Sequence, residues 1–242
     1  MINIHEKYSR HLTIKGWSDE TQKKLTSAHI FVAGAGGLGS PLLFYLAGAG
    51  IGNLTICDFD TVSASNLNRQ ILYTENDIGK SKVFTAARRL KELNSCINIT
   101  CINTPLSENI LDNIEPVDLI IDCLDNFKGR FILNNLSLKK NIPLVHAGIS
   151  EFFGQITFLK PGETPCLACF VEPDSENSSP GIIGATAGIL GSMQAMEAIK
   201  YITGIGENLK NRILFADCKT MEFTIINISK NTACSCCRER EI

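Results

Sequence analysis

Four cysteines and a small set of charged residues carry the chemistry open to this sequence. Cys166 and Cys169 form one Cys-x-x-Cys pair, and Cys234 and Cys237 form another. Thiolates at that spacing can occupy two corners of a tetrahedron, and two such pairs close it around one Zn²⁺. Four sulfurs leave no open position, so such a zinc would be structural. It would tie the end of the chain back across the 64 residues that separate Cys169 from Cys234. A redox role fits less well, because neither pair opens a helix after a strand in a thioredoxin-like context. Cys236 competes with Cys234, but the two-residue spacing favours Cys234 with Cys237. Cys57, Cys96, Cys101, Cys123 and Cys218 lie in or beside apolar runs, and those in strands read as small buried hydrophobes.

A second constellation is built around Gly34-Ala-Gly36-Gly37-Leu-Gly39, which follows one apolar run and opens a helical one. Glycines let the backbone turn tightly and approach phosphates, and the helix N-terminus adds free N–H groups and a positive end. Asp58 closes the next apolar run, where an acid can accept from ribose hydroxyls. Alone, the loop suits a dinucleotide oxidoreductase, or merely packs a helix on a strand. The polar segment that follows carries Asp60, Ser65, Asn66, Arg69 and Gln70, and then Lys80 and Lys82. Arg69 offers a planar fork for phosphate oxygens and Lys82 a point charge. That set suits phosphoryl or nucleotidyl transfer, whose transition state gathers negative charge on oxygen. A solvated charged loop is the plain alternative. Asp125 lies just past the run Val117–Asp122, where ligand crevices form in such sheets, and could hold Mg²⁺ against phosphates. Asp125 or Asn126 could equally cap the next helix.

Hydrophobic periodicity supplies the scaffold. Strands are expected over His29–Ala33, Leu54–Cys57, Ile97–Ile102, Val117–Asp122 and Leu144–Ala147, with helices over Asp19–Ser27, Ser40–Ala49, Lys80–Leu93 and Phe127–Lys140. This alternation predicts an α/β, Rossmann-like, mostly parallel sheet with helices on both faces. After Gly148 the strands Gln155–Leu159, Ile213–Ala216 and Phe223–Ile228 lack helices between all of them, so antiparallel pairing is expected. A polar loop, Glu172–Pro180, precedes a Gly-rich helix from about Ile183 to Ile202. One domain over residues 1–242 is expected, with a nucleotide-binding half (28–150) and a second half (151–242).

The 242 residues are 44% apolar and 20% charged, ordinary for a globular chain. Lys plus Arg is 23 and Asp plus Glu is 25, a net charge of −2 that gives no general attraction to nucleic acid. Met1–Arg10 is polar, unlike a secretion signal. The longest uncharged stretch, Asn177–Met196, is too polar and too interrupted to span a bilayer. A cytoplasmic chain with reduced thiols is expected.

Taken together these residues resemble the ThiF/MoeB/HesA adenylyltransferases of the ubiquitin-activating superfamily. The resemblance rests on Tyr8-Ser-Arg10, GAGGLGSP, AGAGIGNLTICDFDTVSASNLNRQIL, IGKSK, DCLDN, GQITF, CLAC, GILGSMQAMEAIKYITG and CSCC, in order, from about residue 7 to 237. It implies ATP-dependent adenylation of the C-terminal carboxylate of a ubiquitin-like sulfur carrier ending Gly-Gly, in thiamine or molybdenum-cofactor biosynthesis. It implies that Gly34, Gly36, Gly37 and Gly39 form the ATP loop and that Asp58 binds the ribose. Ser65 to Arg69 would line the phosphates with Lys82, and Asp125 would bind Mg²⁺ beside Asn126. Arg10 would reach ATP from the other subunit of a homodimer. Gly184, Gly188 and Gly191 could pack helices at that interface or, more simply, within the core. The second half would bind the carrier and hold the zinc. One departure stands out. Some relatives carry a cysteine in the loop where this chain has Asn177, and no cysteine lies between Cys169 and Cys218. The acyl adenylate is therefore expected to pass to a separate persulfide donor of the cysteine desulfurase or rhodanese type. A related activity on tRNA-bound threonylcarbamoyl groups, and a non-catalytic carrier-binding scaffold, fit the charge set less well.

Overall fold

The computed structural model describes residues 4–172 and 181–238. The elements run α1 (Ile4–Lys7), α2 (Ser9–Leu12), α3 (Asp19–Ser27), β1 (His29–Ala33), α4 (Gly39–Ala49), β2 (Asn53–Cys57), α5 (Lys82–Leu93), β3 (Asn98–Ile102) and β4 (Leu119–Asp122). They continue with α6 (Phe127–Lys140), β5 (Leu144–Ser150), β6 (Phe153–Leu159), α7 (Gly184–Thr203), β7 (Arg212–Asp217) and β8 (Glu222–Asn227). All eight strands form one sheet in the order β3-β2-β1-β4-β5-β6-β7-β8. The first five strands are parallel, and β6, β7 and β8 join antiparallel to their neighbours.

Alternation along β1 shows why both faces must be covered. Ile30 and Val32 enter one core with Leu25, Leu42, Leu46, Val83, Leu90 and Leu190, which brings α3, α4, α5 and α7 to that face. Phe31 and Ala33 enter the other, against Leu133 and Leu136 of α6. A strand buried on both sides has no polar face to alternate, so it reads as a continuous apolar run. Strand order reverses at β1, which has β2 on one side and β4 on the other. A crevice therefore opens beyond the carboxyl ends of β1 and β4.

Several details depart from the sequence reading. The two short N-terminal helices were not anticipated. Helix α5 starts at Lys82 rather than Lys80, because the backbone of residues 79–82 bonds back to the loop at Asp60 and Val62. Strand β8 runs over Glu222–Asn227 rather than Phe223–Ile228 and is exposed along its whole length. Cys96 is exposed in the turn before β3, while Cys57 and Cys123 are buried and Cys101 and Cys218 are half-buried. Asn177 and most of the expected polar loop lie outside the described residues. Among the described residues, no helix is long and apolar enough to cross a membrane.

Candidate active site

The glycine loop between β1 and α4 forms the floor of the crevice. Gly34 sits at φ +95°, and a Cβ there would lie 2.7 Å from the Cys123 carbonyl oxygen. A Cβ at Gly39 would collide with the Gly34 carbonyl, so Gly39 lets the loop fold onto itself rather than facing the cleft. Asp58, at the end of β2, accepts from the Ala35 N–H at 2.8 Å and from the Asp60 N–H at 2.9 Å. The buried Tyr73 hydroxyl donates to the Ala35 carbonyl at 2.8 Å. Helix α4 begins without a side-chain cap. In its first turn the Ser40 N–H is taken by the Gly36 carbonyl at 2.9 Å and Pro41 has no N–H, so what the helix start presents to an anion is its positive end.

The segment after β2 brings in the cations. Lys82 is 4% exposed, and its Nζ lies 2.8 Å from Asp60 Oδ2. Arg69 is half-buried and donates to the Ser65 carbonyl at 2.8 Å and to Asn68 Oδ1 at 2.9 Å. Asn66 turns its carbonyl oxygen toward the Ser63 N–H at 3.2 Å, closing a local turn. Gln70 is buried, and its Oε1 has no hydrogen-bond partner. The loop is anchored from behind by Asp77, which pairs with Arg88 at 3.1 Å and Arg89 at 3.0 Å. Burial alone would push the Asp77 carboxyl up. Hydrogen bonds from Arg89 and Thr74, with the Arg89 charge, outweigh burial and hold it well below the usual carboxylate range.

On the opposite side Asp125 is exposed to the cleft, and Asn126 Nδ2 donates to it at 3.3 Å. Asn126 also caps α6, accepting from Gly129 N–H at 2.8 Å. The cap is therefore Asn126, and the Asp125 carboxylate is left facing the cleft. The cleft has a volume of about 1120 Å³. Gly34, Gly36, Gly37, Asp58, Asp60, Arg69, Gln70, Lys82, Asp125 and Asn126 all line it. Ser65 and Asn66 stand behind Arg69, off the lining, and Arg10 lies outside its own chain's cleft on the exposed α2. Gly184 and Gly191 make close approaches to Asn68 and Leu38 within the chain, which is core packing. Arg130, Phe153, Gln155 and Phe215 also line the cleft. Arg130, Phe153 and Phe215 were not singled out in the sequence, and Gln155 appeared there only within GQITF, because it takes the β5–β6 hairpin to carry the sheet around the crevice.

Two thiols reach the cleft. Burial, and then the neighbouring Asp58 charge, push the Cys57 thiol up to about 12. Burial and the Asp122 charge push Cys123 well up too. Both therefore stay protonated, and a thiol is a poor nucleophile. The sulfurs of Cys166, Cys169, Cys234 and Cys237 gather elsewhere, all within 4.8 Å of one another. Cys166 lies 3.7 Å from Cys234, and Cys169 lies 3.5 Å from Cys237. Cys236 turns away toward Ser235 at 3.9 Å. Burial, then the neighbouring sulfurs, push the Cys166 thiol up. Such crowding of soft donors is relieved by a cation, so the cluster could bind a metal.

The model of the ThiF family matches residues 8–236. The chain is 36% identical over 241 residues to the SAMP-activating enzyme E1 of Haloferax volcanii, covering 97% of this chain and 89% of that protein. It is 36% identical over 244 residues to a sulfur carrier protein adenylyltransferase of Thermus thermophilus, covering 96% and 90% respectively. The crystal structure of E. coli MccB with MccA-N7isoASN superposes with a TM-score of 0.88 at 25% identity, over 98% of this chain and 76% of that one.

Proposed function

Because the chain belongs to the ThiF family, we propose that its cleft uses ATP to adenylate the C-terminal Gly-Gly carboxylate of a ubiquitin-like sulfur carrier. The observation that carries this reading is convergence. Arg69, Lys82, Asp125 and the uncapped start of α4 meet on one cleft at the β1–β4 crevice. A dinucleotide oxidoreductase would give the Arg69, Lys82 and Asp125 set no task.

The reaction has one electrostatic problem: an anionic carboxylate must approach a polyanion. A carboxylate oxygen of the carrier attacks the α-phosphorus. A new O–P bond forms while the bond from that phosphorus to the bridging oxygen breaks, and pyrophosphate leaves with the electron pair. Gly36 and Gly37 admit the phosphate chain to the positive end of α4. Gln70 Oε1, buried without a partner, marks a position where a ligand hydrogen-bond donor fits. Asp58 retains lone pairs for a ribose hydroxyl while bracing the loop. Lys82, now neutralised by Asp60, and Arg69 are the cations that offset charge building on the phosphates. Asp125 supplies the carboxylate that would hold Mg²⁺, which shields the phosphates when bound.

In this proposal Arg10 serves the cleft of a partner copy, making the active unit a homodimer. The four-cysteine cluster would hold a structural Zn²⁺. With no cysteine between Cys169 and Cys218, no covalent enzyme–carrier link is expected, and a separate persulfide-bearing protein supplies the sulfur.

ATP–pyrophosphate exchange with Mg²⁺ and a panel of Gly-Gly-ended carriers tests the reading. Exchange with one carrier, lost in Asp125→Ala, supports it and names the carrier. Absence of ATP binding would sink it.

A further inference from the structure

Asp125 stands on a short turn between β4 and α6, and its usefulness depends on where that turn holds it. Both peptide groups of the preceding residue, Leu124, are clamped. The Leu124 N–H donates to Asp122 Oδ1 at 3.0 Å. The Leu124 carbonyl accepts from Arg130 Nη2 at 3.0 Å. Arg130 lies one helical turn into α6, with its guanidinium carbon 5.1 Å from the centre of the Phe127 ring. Its Nε is buried without a hydrogen-bond partner, 4.0 Å from Asp122 Oδ2. Asp122 is fully buried, and the same Oδ2 lies 2.7 Å from Nδ1 of the buried His146 on β5.

A buried carboxylate next to a nearly buried guanidinium is costly unless each has a job. Here the jobs are complementary. Asp122 holds the entrance of the turn and Arg130 its exit, and their mutual charge keeps both in place. His146 fixes the Asp122 carboxylate from the neighbouring strand.

We propose that Arg130, braced by Asp122 and His146, is a positioning residue that aims the Asp125 carboxylate into the cleft. The proposal rests on the adenylation reading for what Asp125 binds. Its structural half, the clamp on Leu124, does not depend on that reading.

Two variants and two kinds of readout test it. Arg130→Met removes the donor and the charge while keeping a long apolar stem over Phe127. Arg130→Lys keeps the charge and one donor. In Arg130→Met the melting temperature should fall, because the buried Asp122 keeps only His146, and hydrogen exchange at the Leu124–Asn126 amides should quicken by more than at the β-strand amides. ATP binding should then need about 10- to 100-fold more Mg²⁺ for half-effect, a larger loss than that of metal-free ATP affinity. Arg130→Lys should restore part of the loss. Unchanged turn protection and unchanged Mg²⁺ demand in Arg130→Met would overturn the proposal. So would loosening spread equally over the whole sheet, which marks a merely structural residue. The adenylation reading fails differently: the parent protein would show no exchange with any carrier, while the turn would still loosen in Arg130→Met.

Discussion

Gly34 has two independent reasons to be glycine. Its φ of +95° disfavours any side chain, and the Cys123 carbonyl occupies the place a Cβ would take. Gly34→Ala should therefore cost about 1–3 kcal/mol of stability in urea unfolding, and ATP affinity should fall with it. Lys82 and Arg69 call for a different experiment, since neither props up the fold as Gly34 does. Lys82→Ala and Arg69→Ala should each lower exchange turnover by about 100-fold or more with an intact far-ultraviolet spectrum. Normal turnover in either would remove that residue from the proposed site. Both cations, with Asp58 and Asp125, were legible in the sequence because each sits at a fixed offset from a glycine loop or a strand end. Arg130 was not. On one helix it looks like a surface charge, and only the arrival of β5, with Gly148 beside its guanidinium, makes it buried. Ser65 and Asn66 were legible as polar loop residues, but the sequence could not show Asn66 spending its carbonyl oxygen on the Ser63 N–H.

At the scale of elements, the loop between β2 and α5 depends on Asp77. Its carboxylate is shared by Arg88, Arg89 and Thr74, so losing it leaves cations facing a buried void. Asp77→Ala should cost about 2–4 kcal/mol and reduce affinity for ATP through displacement of Arg69. The group's folded pKa is depressed, so its contribution is fully present above the unfolded carboxyl value near ~4. It is lost as pH falls through the folded value. Acid unfolding of the parent should steepen below about pH 4, and Asp77→Asn should flatten that limb; parallel acid titrations of the two proteins check this. The elements themselves were readable where periodicity and length agreed. His29–Ala33, Asp19–Ser27 and Phe127–Lys140 have the bounds their patterns gave. Periodicity ran two residues too far at Lys80 because an amphipathic pattern continues regardless of which backbone groups a distant loop has taken. Strand β8 was readable as an antiparallel strand, and its Phe223, Ile225 and Ile226 stay exposed at the sheet edge.

At the scale of the whole molecule, the cysteine cluster joins Cys166 and Cys169, just past β6, to Cys234 and Cys237 near the C-terminus. If it holds zinc, chelation should release one metal per chain and expose the residues after β8 to protease before the sheet unfolds. Cys166→Ser should mimic chelation. A chain that yields no metal on acid release would refute the assignment. The homodimer is checked by mixing two inactive variants. If Arg10 serves the partner's cleft, unfolding and refolding Arg10→Ala with Asp125→Ala should restore about a quarter of parental activity, because half the dimers regain one intact site. No recovery would place Arg10 elsewhere.

The reversal of strand order at β1 also bears on how the molecule comes into being. β1 finds β2 after the short helix α4, but 85 residues lie between the end of β1 and the start of its other neighbour, β4. Closing so long a loop is slow relative to local pairing. The seam where the glycine loop meets Cys123 is then a late step in assembling the parallel strands, and an early intermediate would hold β1, β2 and β3 with no crevice. ATP binds only what has passed that seam. Adding it during refolding should leave the first kinetic phase untouched and draw the last toward completion, so the nucleotide would act as a clock for the molecule's own maturation.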